Sequence, residues 1–215
     1  WILKCIEFNK NILVEKPAFI NLGQAKEVFL DPSLKNIFFG ESFMFRYHPQ
    51  IEIVIDLIKK NKIGKVTSMS SNFGINLTDK KRFFDLFKKK LDKKKRIFNK
   101  ELGGGVIFDL GPHTLSMALL IAALVKNINI ENIEIQNLKK IYKLEDIDVH
   151  STVDIVFDNM FKAKLQVSFS ENIGNKTTIF GEKGKIVIEN TWSSEKGKIN
   201  VLAEKEEVFN INNSN

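Results

Sequence analysis

The sequence predicts a mixed fold in two parts: the end of an α/β domain, then an α+β domain built on an open, mostly antiparallel β-sheet. Two short apolar runs near the start, separated by a helical pattern, are typical of strands in a parallel sheet. After residue 65 the pattern changes to β-type segments in series, several of them alternating between apolar and polar residues. Strands in series, with helices grouped elsewhere, predict a sheet that helices cover on one face.

The first apolar run, residues 12–14, follows the last turns of a helix within residues 1–10. A short and wholly apolar run is typical of a strand that is buried on both faces. It delivers Glu15, Lys16 and Pro17 at its carboxyl end. Because open α/β sheets bind their ligands at the carboxyl ends of strands, these three residues are candidates for a binding site.

A second strand is predicted over residues 36–45, after a helix at about residues 20–30. Pro49 then opens a helix that is apolar along one face and that links the two parts of the chain. We therefore divide the chain into residues 1–48 and residues 49–215.

The second part begins with a strand over residues 66–73. Six later segments have the composition and alternation of strands: 130–142, 149–157, 161–169, 177–180, 185–189 and 199–202. Hairpin turns are predicted at Asp158-Asn159 and at residues 181–184, where turn-forming residues separate two strands. Residues 210–215 are polar, and we expect a frayed end there.

Between the first of these strands and the others lies a stretch with the residues of a catalytic site. Gly103 to Gly105 precede a short apolar run, after which Asp109 and His113 stand four residues apart. Pro112 suits the first turn of a helix, so Asp109 is a candidate N-cap with His113 one turn further on. A carboxylate beside an imidazole is a proton-handling pair, because the acid orients the ring and stabilises its charged form. The alternative is a helix cap followed by a hydrogen-bonded structural histidine.

The formal net charge of +7 is concentrated in one segment. Residues 80–100 contain eleven Lys and Arg against two Asp, which leaves the rest of the chain at 22 minus 24, or −2. Apolar residues recur there at helical spacing, which predicts an amphipathic helix with a solvated lysine face. A basic patch for an anionic ligand is the alternative. Only three residues of the chain are arginine, the side chain that forked recognition of phosphates and bases favours, so we expect no nucleic-acid partner.

The rest of the composition excludes several classes of protein. Cys5 is the only cysteine, so there is no disulfide framework and no cysteine-based metal site. The three histidines lack metal-ligand spacing, and we expect no metal. No apolar run approaches the roughly 20 residues of a membrane span, and signal-peptide features are missing. We expect a soluble, cytoplasmic protein that does not bind membranes, and a chain that continues upstream of Trp1.

Three motifs stand in a recognisable order: Val-Glu-Lys-Pro at residues 14–17, then residues 41–50, then residues 103–113. They resemble the EKP signature of the Gfo/Idh/MocA oxidoreductases, the segment that leaves their nucleotide-binding domain, and their GGG-x₃-D-x-G-x-H element. Weaker similarities to the family's second domain lie at residues 154–168 and 179–184. Residues 41–50, together with residues 101–103, most resemble the branch that contains sugar and dihydrodiol dehydrogenases.

The resemblance implies a Rossmann domain followed by a substrate domain, with residues 1–48 as the C-terminal remnant of the Rossmann domain. The phosphate loop of that domain, G-x-G-x-x-G, does not occur in the chain. We therefore expect most of the cofactor-binding half to be absent. The resemblance also implies a homo-oligomer, a dimer or tetramer, that uses an exposed face of the second domain's sheet.

The implied reaction is hydride transfer between NAD or NADP and a hydroxyl-bearing carbon of a sugar, cyclitol or related diol. Lys16 matches the family lysine near the nicotinamide and the reacting hydroxyl, and His113 matches the general base, with Asp109 as its partner or as a substrate contact. The implied cofactor-binding residues are Glu15, Lys16, Pro17 and Arg46. Arg46 also fits a role in holding the two domains together.

The family also contains regulators that sense sugars or nucleotides without turnover. A protein without catalysis need not keep Lys16, Asp109 and His113 together, so their presence favours the enzyme.

Overall fold

The computed structural model describes residues 1–77, 95–143, 146–192 and 196–212. Within these ranges the chain forms a two-stranded sheet and an eight-stranded sheet. The predicted lysine-rich helix lies outside the described residues as far as residue 94. Its last six residues are described, and four of them lie in two 3₁₀ turns, Arg96–Phe98 and Lys100–Leu102.

The first part of the chain has four elements: α1 (Ile2–Glu7), β1 (Ile12–Glu15), α2 (Leu22–Phe29) and β2 (Phe39–Ser42). The two strands are parallel, with Ile12 opposite Phe39, as predicted for this part. β2 is shorter than the predicted strand, because residues on both sides of it form 3₁₀ turns. The turn before it begins where the side chain of Asp31 accepts a hydrogen bond from the backbone N–H of Ser33.

This first part buries little apolar surface of its own. Its core is a small cluster around Ile6, Ile12 and Val28. Leu13, inside β1, is 67% exposed, and Phe29 and Phe38 are exposed as well. Side chains of this kind are normally covered in a folded domain, so the two strands have the residue pattern of a larger sheet.

The second part begins with α3 (Pro49–Lys59) and β3 (Val66–Gly74), followed later by α4 (Val106–Asp109) and α5 (Gly111–Ala122). Seven further strands complete it: β4 (Ile133–Lys143), β5 (Ile147–Phe157), β6 (Phe161–Ser168), β7 (Thr177–Gly181), β8 (Gly184–Ile188), β9 (Lys196–Leu202) and β10 (Glu206–Asn212). The strand order is β10-β9-β8-β7-β3-β6-β5-β4, and β3 with β6 is its parallel pair. The predicted open, mostly antiparallel sheet is confirmed.

Helices α3 and α5 cover one face of this sheet. The main core lies between them and the strands, and it includes Met117 and Ile121 of α5. The other face carries polar side chains, because alternate residues of each strand point away from the helices. On β6, for example, Lys162 and Lys164 are exposed while Ala163 between them is fully buried.

Two features near the strand ends bear on the predictions. The hairpin at Asp158-Asn159 is confirmed, with φ values of 52° and 53° that suit a tight turn. The frayed end expected from residue 210 is wrong as far as residue 212, because β10 pairs with β9 along its whole length. In β10, Phe209 packs against the core while Val208 before it is exposed, which is the alternation of an edge strand.

The opposite edge strand, β4, exposes an apolar surface. Ile135 is 64% exposed, and Leu138, Ile141 and Tyr142 are also exposed. Exposed apolar edge strands mark contact surfaces in many proteins. The homo-oligomer stays a prediction, and β4 is the most apolar exposed part of the sheet on which it can form.

In the described part of the chain, no single helix has the length and apolar character needed to cross a membrane. One pair of helical segments, Lys100–Asp109 and Gly111–Ala122, has both only when the two are taken together across a bend of 48°.

Candidate active site

The three glycines before α4 allow close approaches within the protein itself. A Cβ atom on Gly104 would lie 2.6 Å from the carbonyl oxygen of Asn99. Gly105 has φ of 109°, and a Cβ atom there would overlap Oδ1 of Asp148. The glycines therefore let the chain pass close to Asn99 and Asp148 and then turn into α4.

Asp148, at the start of β5, contacts this turn through its carboxylate. Its buried carboxylate accepts hydrogen bonds from the backbone N–H of Ile107, at 2.9 Å, and from the Ser151 hydroxyl, at 3.2 Å. The free N–H groups at a helix start need such acceptors. Asp148 thus fixes the position of α4, and with it the position of Asp109.

Asp109 is the last residue of α4 and not the N-cap of α5. Leu110 occupies the cap position, and no side chain caps α5. The N-cap interpretation is therefore wrong, because Asp109 already belongs to a helical turn. Pro112 does lie in the first turn of α5, as predicted.

Lys16 and Asp109 meet although 93 residues separate them in the sequence. The Lys16 ammonium donates to the backbone carbonyl of Asp109 at 2.6 Å and to its Oδ1 at 3.1 Å. Both side chains are only 18% exposed. The end of β1 and the junction of α4 with α5 are thereby brought to one place, which joins the two parts of the chain.

Arg96 completes this group and was not predicted. Its Nη2 lies 2.5 Å from Asp109 Oδ1, the oxygen that also accepts from Lys16. Its Nη1 donates to the carbonyl of Gly103 at 3.4 Å. The helical pattern of residues 80–100 placed Arg96 among solvated lysines, and nothing local in the sequence separates it from them.

The ring of His113 lies among four aromatic side chains. The centroids of Phe43, Phe45, Phe73 and Trp192 lie 5.6–6.0 Å from its own. These rings come from segments that are distant in the sequence, so the sequence pattern did not group them. They surround the imidazole with apolar surface and leave its buried Nδ1 without a hydrogen-bond partner in the described part of the chain.

Burial lowers the pKa of His113 to about 4, and the positive charge of Lys16 acts in the same direction. The negative charge of Asp109 raises the pKa and opposes these two effects. No hydrogen bond between Asp109 and His113 is found among the described residues, so Asp109 acts on the ring through its charge. The imidazole is therefore neutral near pH 7 and able to accept a proton.

This lowered pKa makes the stability of the fold depend on pH. Between pH 6.5 and about 4 the unfolded chain binds a proton at His113 that the folded chain does not. The free energy of unfolding is therefore highest above pH 6.5 and falls as the pH drops towards 4. We expect His113→Phe, which keeps an aromatic ring in the cluster, to remove about 2–3 kcal/mol of this fall.

Urea unfolding of the original chain and of His113→Phe at pH 7.5 and pH 4.5 measures this effect. His48 and the carboxylates contribute to the pH dependence of the unfolding free energy in both chains. The contribution of His113 is therefore the difference between the pH dependences of the two chains. Equal pH dependence in the two chains would contradict the lowered pKa.

The other predicted cofactor-binding residues surround the same region. Pro17 follows Lys16 directly, whereas the side chain of Glu15 is exposed. Arg46 donates from Nε and Nη2 to the hydroxyl of Ser116, at 3.1 and 2.9 Å, and from Nη2 to its carbonyl at 2.8 Å. These bonds connect the turn after β2 to α5.

A cavity of about 800 Å³ adjoins the Lys16, Asp109 and His113 side chains without including them. Pro17, Gly111 and Pro112 line its near end, and Arg46 and Ser116 lie on its wall. The rest of the lining is mostly apolar and comes from residues 18–19, from β2 and the turn after it, from α4 and α5, and from strands β4 to β6.

The remaining histidines lie apart from this group. His48 is the N-cap of α3, where its Nδ1 accepts from the backbone N–H of Gln50 at 3.2 Å. His150 contacts Gln166 on the polar face of the sheet. No cluster of three or more His, Cys, Asp or Glu side chains suited to a metal occurs within the four described ranges.

Comparison with known families decides the assignment of the fold. The sequence model of the GFO/IDH/MocA C-terminal domain matches residues 51–187, which is more than half of the chain. The chain belongs to the Gfo/Idh/MocA family. This match covers α3, the glycine turn, Asp109, His113 and the sheet as far as β8.

Curated proteins with sequences similar to this chain include oxidoreductases. Trans-1,2-dihydrobenzene-1,2-diol dehydrogenase from Xenopus tropicalis is 26% identical over 193 residues, which are 89% of this chain and 52% of the relative. The dTDP-3,4-didehydro-2,6-dideoxy-α-D-glucose 3-reductase of Actinomadura kijaniata is 27% identical over 118 residues, 55% of this chain and 32% of the relative. The chain spans about half the length of the dihydrodiol dehydrogenases that it matches.

Solved structures share the fold of the whole chain. A 3-ketoreductase from Actinomadura kijaniata in complex with NADP and TDP-benzene has a TM-score of 0.76 at 20% identity, over 99% of this chain and 61% of its own. The aldose-aldose oxidoreductase of Caulobacter crescentus, complexed with glycerol, has a TM-score of 0.74 at 16% identity, over 100% of this chain and 59% of its own. The fold of these structures therefore extends over both parts of the chain.

Proposed function

We propose that the protein of which this chain is a part is an NAD(P)-dependent oxidoreductase. It transfers a hydride between the cofactor and a hydroxyl-bearing carbon of a sugar, cyclitol or related diol. The activities and ligands of the relatives support this proposal, since they include a diol dehydrogenase, a sugar 3-reductase and a complex with NADP.

The observation that carries the proposal is the meeting of Lys16, Asp109 and His113. Lys16 contacts Asp109 directly, and its charge acts on the His113 imidazole. An ammonium and a neutral imidazole beside one another are the two groups that oxidation of an alcohol needs. One stabilises negative charge on the oxygen and the other accepts the proton.

Each residue has capacity left for substrate. The Lys16 ammonium has three N–H groups, and its hydrogen bonds to Asp109 use two of them. Within the described residues the third has no acceptor, so it can donate to a substrate oxygen. His113 is neutral near pH 7 and accepts the hydroxyl proton during oxidation, then returns it during reduction. The bound cofactor supplies the hydride acceptor or donor, and the chain fixes geometry and moves the proton.

We propose the domain division at residues 1–48 and 49–215, with the first part as the C-terminal remnant of a Rossmann domain. Two observations support it. β1 and β2 are parallel and end at Lys16 and at the start of the turn that carries Arg46. The exposed apolar side chains of this part, Leu13 among them, suit burial against further strands and helices. The groups that select NAD or NADP belong to that further part.

A test requires a chain in which a complete nucleotide-binding half precedes Trp1. We expect this protein to change the absorbance of NADH or NADPH at 340 nm with at least one member of a panel of sugars, cyclitols and diols. The 215-residue chain alone serves as the control and should show no turnover. Cofactor binding without turnover on any panel member would instead support the sugar-sensing regulator, and absence of cofactor binding would overturn both.

A further inference from the structure

Arg96 stands out among the charged residues of the molecule because it binds an oxygen that the proposed site already uses. Asp109 Oδ1 accepts from Lys16 at 3.1 Å and from Arg96 at 2.5 Å. The two cations approach from different segments, one after β1 and one after residue 94. Two positive charges thus share one carboxylate oxygen.

The three side chains differ in exposure. Lys16 and Asp109 are each 18% exposed, whereas Arg96 is 42% exposed. Arg96 therefore lies on the solvent side of the Lys16–Asp109 pair. Its second contact, from Nη1 to the Gly103 carbonyl, ties the guanidinium to the glycine turn that precedes α4. One nitrogen of the Arg96 guanidinium thus contacts Asp109 in α4, and the other contacts the turn that precedes α4.

His113 is the group on which this arrangement acts. Among the described residues, the charged groups that influence it are Lys16 and Asp109, and its ring neighbours are aromatic. The charge of Asp109 favours the imidazolium. A carboxylate bonded to two cations is less able to turn towards the imidazole. The two positive charges also offset its negative charge, which weakens its effect on the imidazole.

We propose that Arg96 is a positioning residue, which binds the Asp109 carboxylate so that it stays against Lys16 and apart from His113. In this arrangement Lys16 is fixed for contact with the substrate oxygen and His113 remains neutral. A role of Arg96 in catalysis rests on the proposed function. The effect of Arg96 on His113 through Asp109 can be measured in the present chain without a cofactor.

The test is an NMR titration of the three histidines in the ¹⁵N-histidine-labelled 215-residue chain. Assignment follows from His48→Gln and His150→Gln. We expect Arg96→Gln to raise the pKa of His113 by about half a pH unit or more, because one of two charges opposing Asp109 is lost. Arg96→Lys, which retains the charge, should stay near the original value. The unchanged signals of His48 and His150 report that each variant is folded.

Two controls separate positioning from simple loss of charge. Lys100→Gln removes the same charge four residues further on, where the lysine is exposed and pairs with Asp146, and should leave His113 unchanged. In an Asp109→Asn background, Arg96→Gln should no longer raise the pKa. No rise in the single variant, or an equal rise in the Asp109→Asn background, would overturn the proposal. Failure of the dehydrogenase assay would leave this titration unaffected, so the two proposals fail independently.

Discussion

Replacing His113 by asparagine is expected to lower kcat by about 10³-fold in the protein that carries a complete nucleotide-binding half. Loss of a positioned proton acceptor typically costs 10²–10⁴-fold in rate. Asparagine keeps a polar side chain of similar length but accepts no proton near neutral pH. Because proton transfer belongs to the chemical step, we expect KM to change much less than kcat. Steady-state oxidation of the substrate found in the panel, followed at 340 nm, measures both.

His150→Asn is the matched control, since it makes the same replacement on the polar face of the sheet, away from Lys16 and Asp109. Its kcat should stay within a factor of about two of the original, because the ring lies apart from the proposed site. A kcat for His113→Asn that equals the control would remove His113 from the proton-transfer step. The proposed mechanism would then need another acceptor.

Replacing Gly105 by alanine is expected to destabilise the fold by about 3 kcal/mol. Two costs add at this position. Its φ of 109° is one that residues with a Cβ atom rarely adopt, and the new methyl group would overlap the Asp148 carboxylate. Asp148 must then move away from the backbone N–H of Ile107, which leaves the start of α4 without its acceptor. Urea unfolding at pH 7.5 gives the free energy directly.

Gly174→Ala separates these two costs. Gly174 also has a positive φ, of 82°, but a Cβ atom there meets nothing within 4 Å. Backbone strain alone should destabilise this variant by about 1 kcal/mol. If both variants lost the same free energy, the close approach of Asp148 to Gly105 would have no energetic importance.

The strands were predictable because their information is local. The alternation of apolar and polar residues, as in residues 161–168, indicates which side chains face the core. This pattern predicted nearly every strand of the second part. β10 was missed because its two consecutive acidic residues, followed by a polar end, resemble an exposed tail. Its pairing with β9 overrides that local preference.

The candidate site was predictable only where a motif named it. Lys16, Asp109 and His113 came from ordered motifs, whereas the site roles assigned to them stay predictions. Arg96 was missed, because its contact with Asp109 depends on the glycine turn that brings the two together. Trp192 was missed for the same physical reason: it reaches His113 from beyond β8, and no spacing in the sequence relates the two.

The indole of Trp192 beside the His113 imidazole has a practical consequence. A protonated imidazole quenches the emission of a neighbouring indole, whereas a neutral one does so much less. The chain contains one other tryptophan, Trp1, which is almost fully exposed and emits at longer wavelength. In a Trp1→Phe background, the fluorescence of Trp192 therefore reports the protonation of the His113 ring.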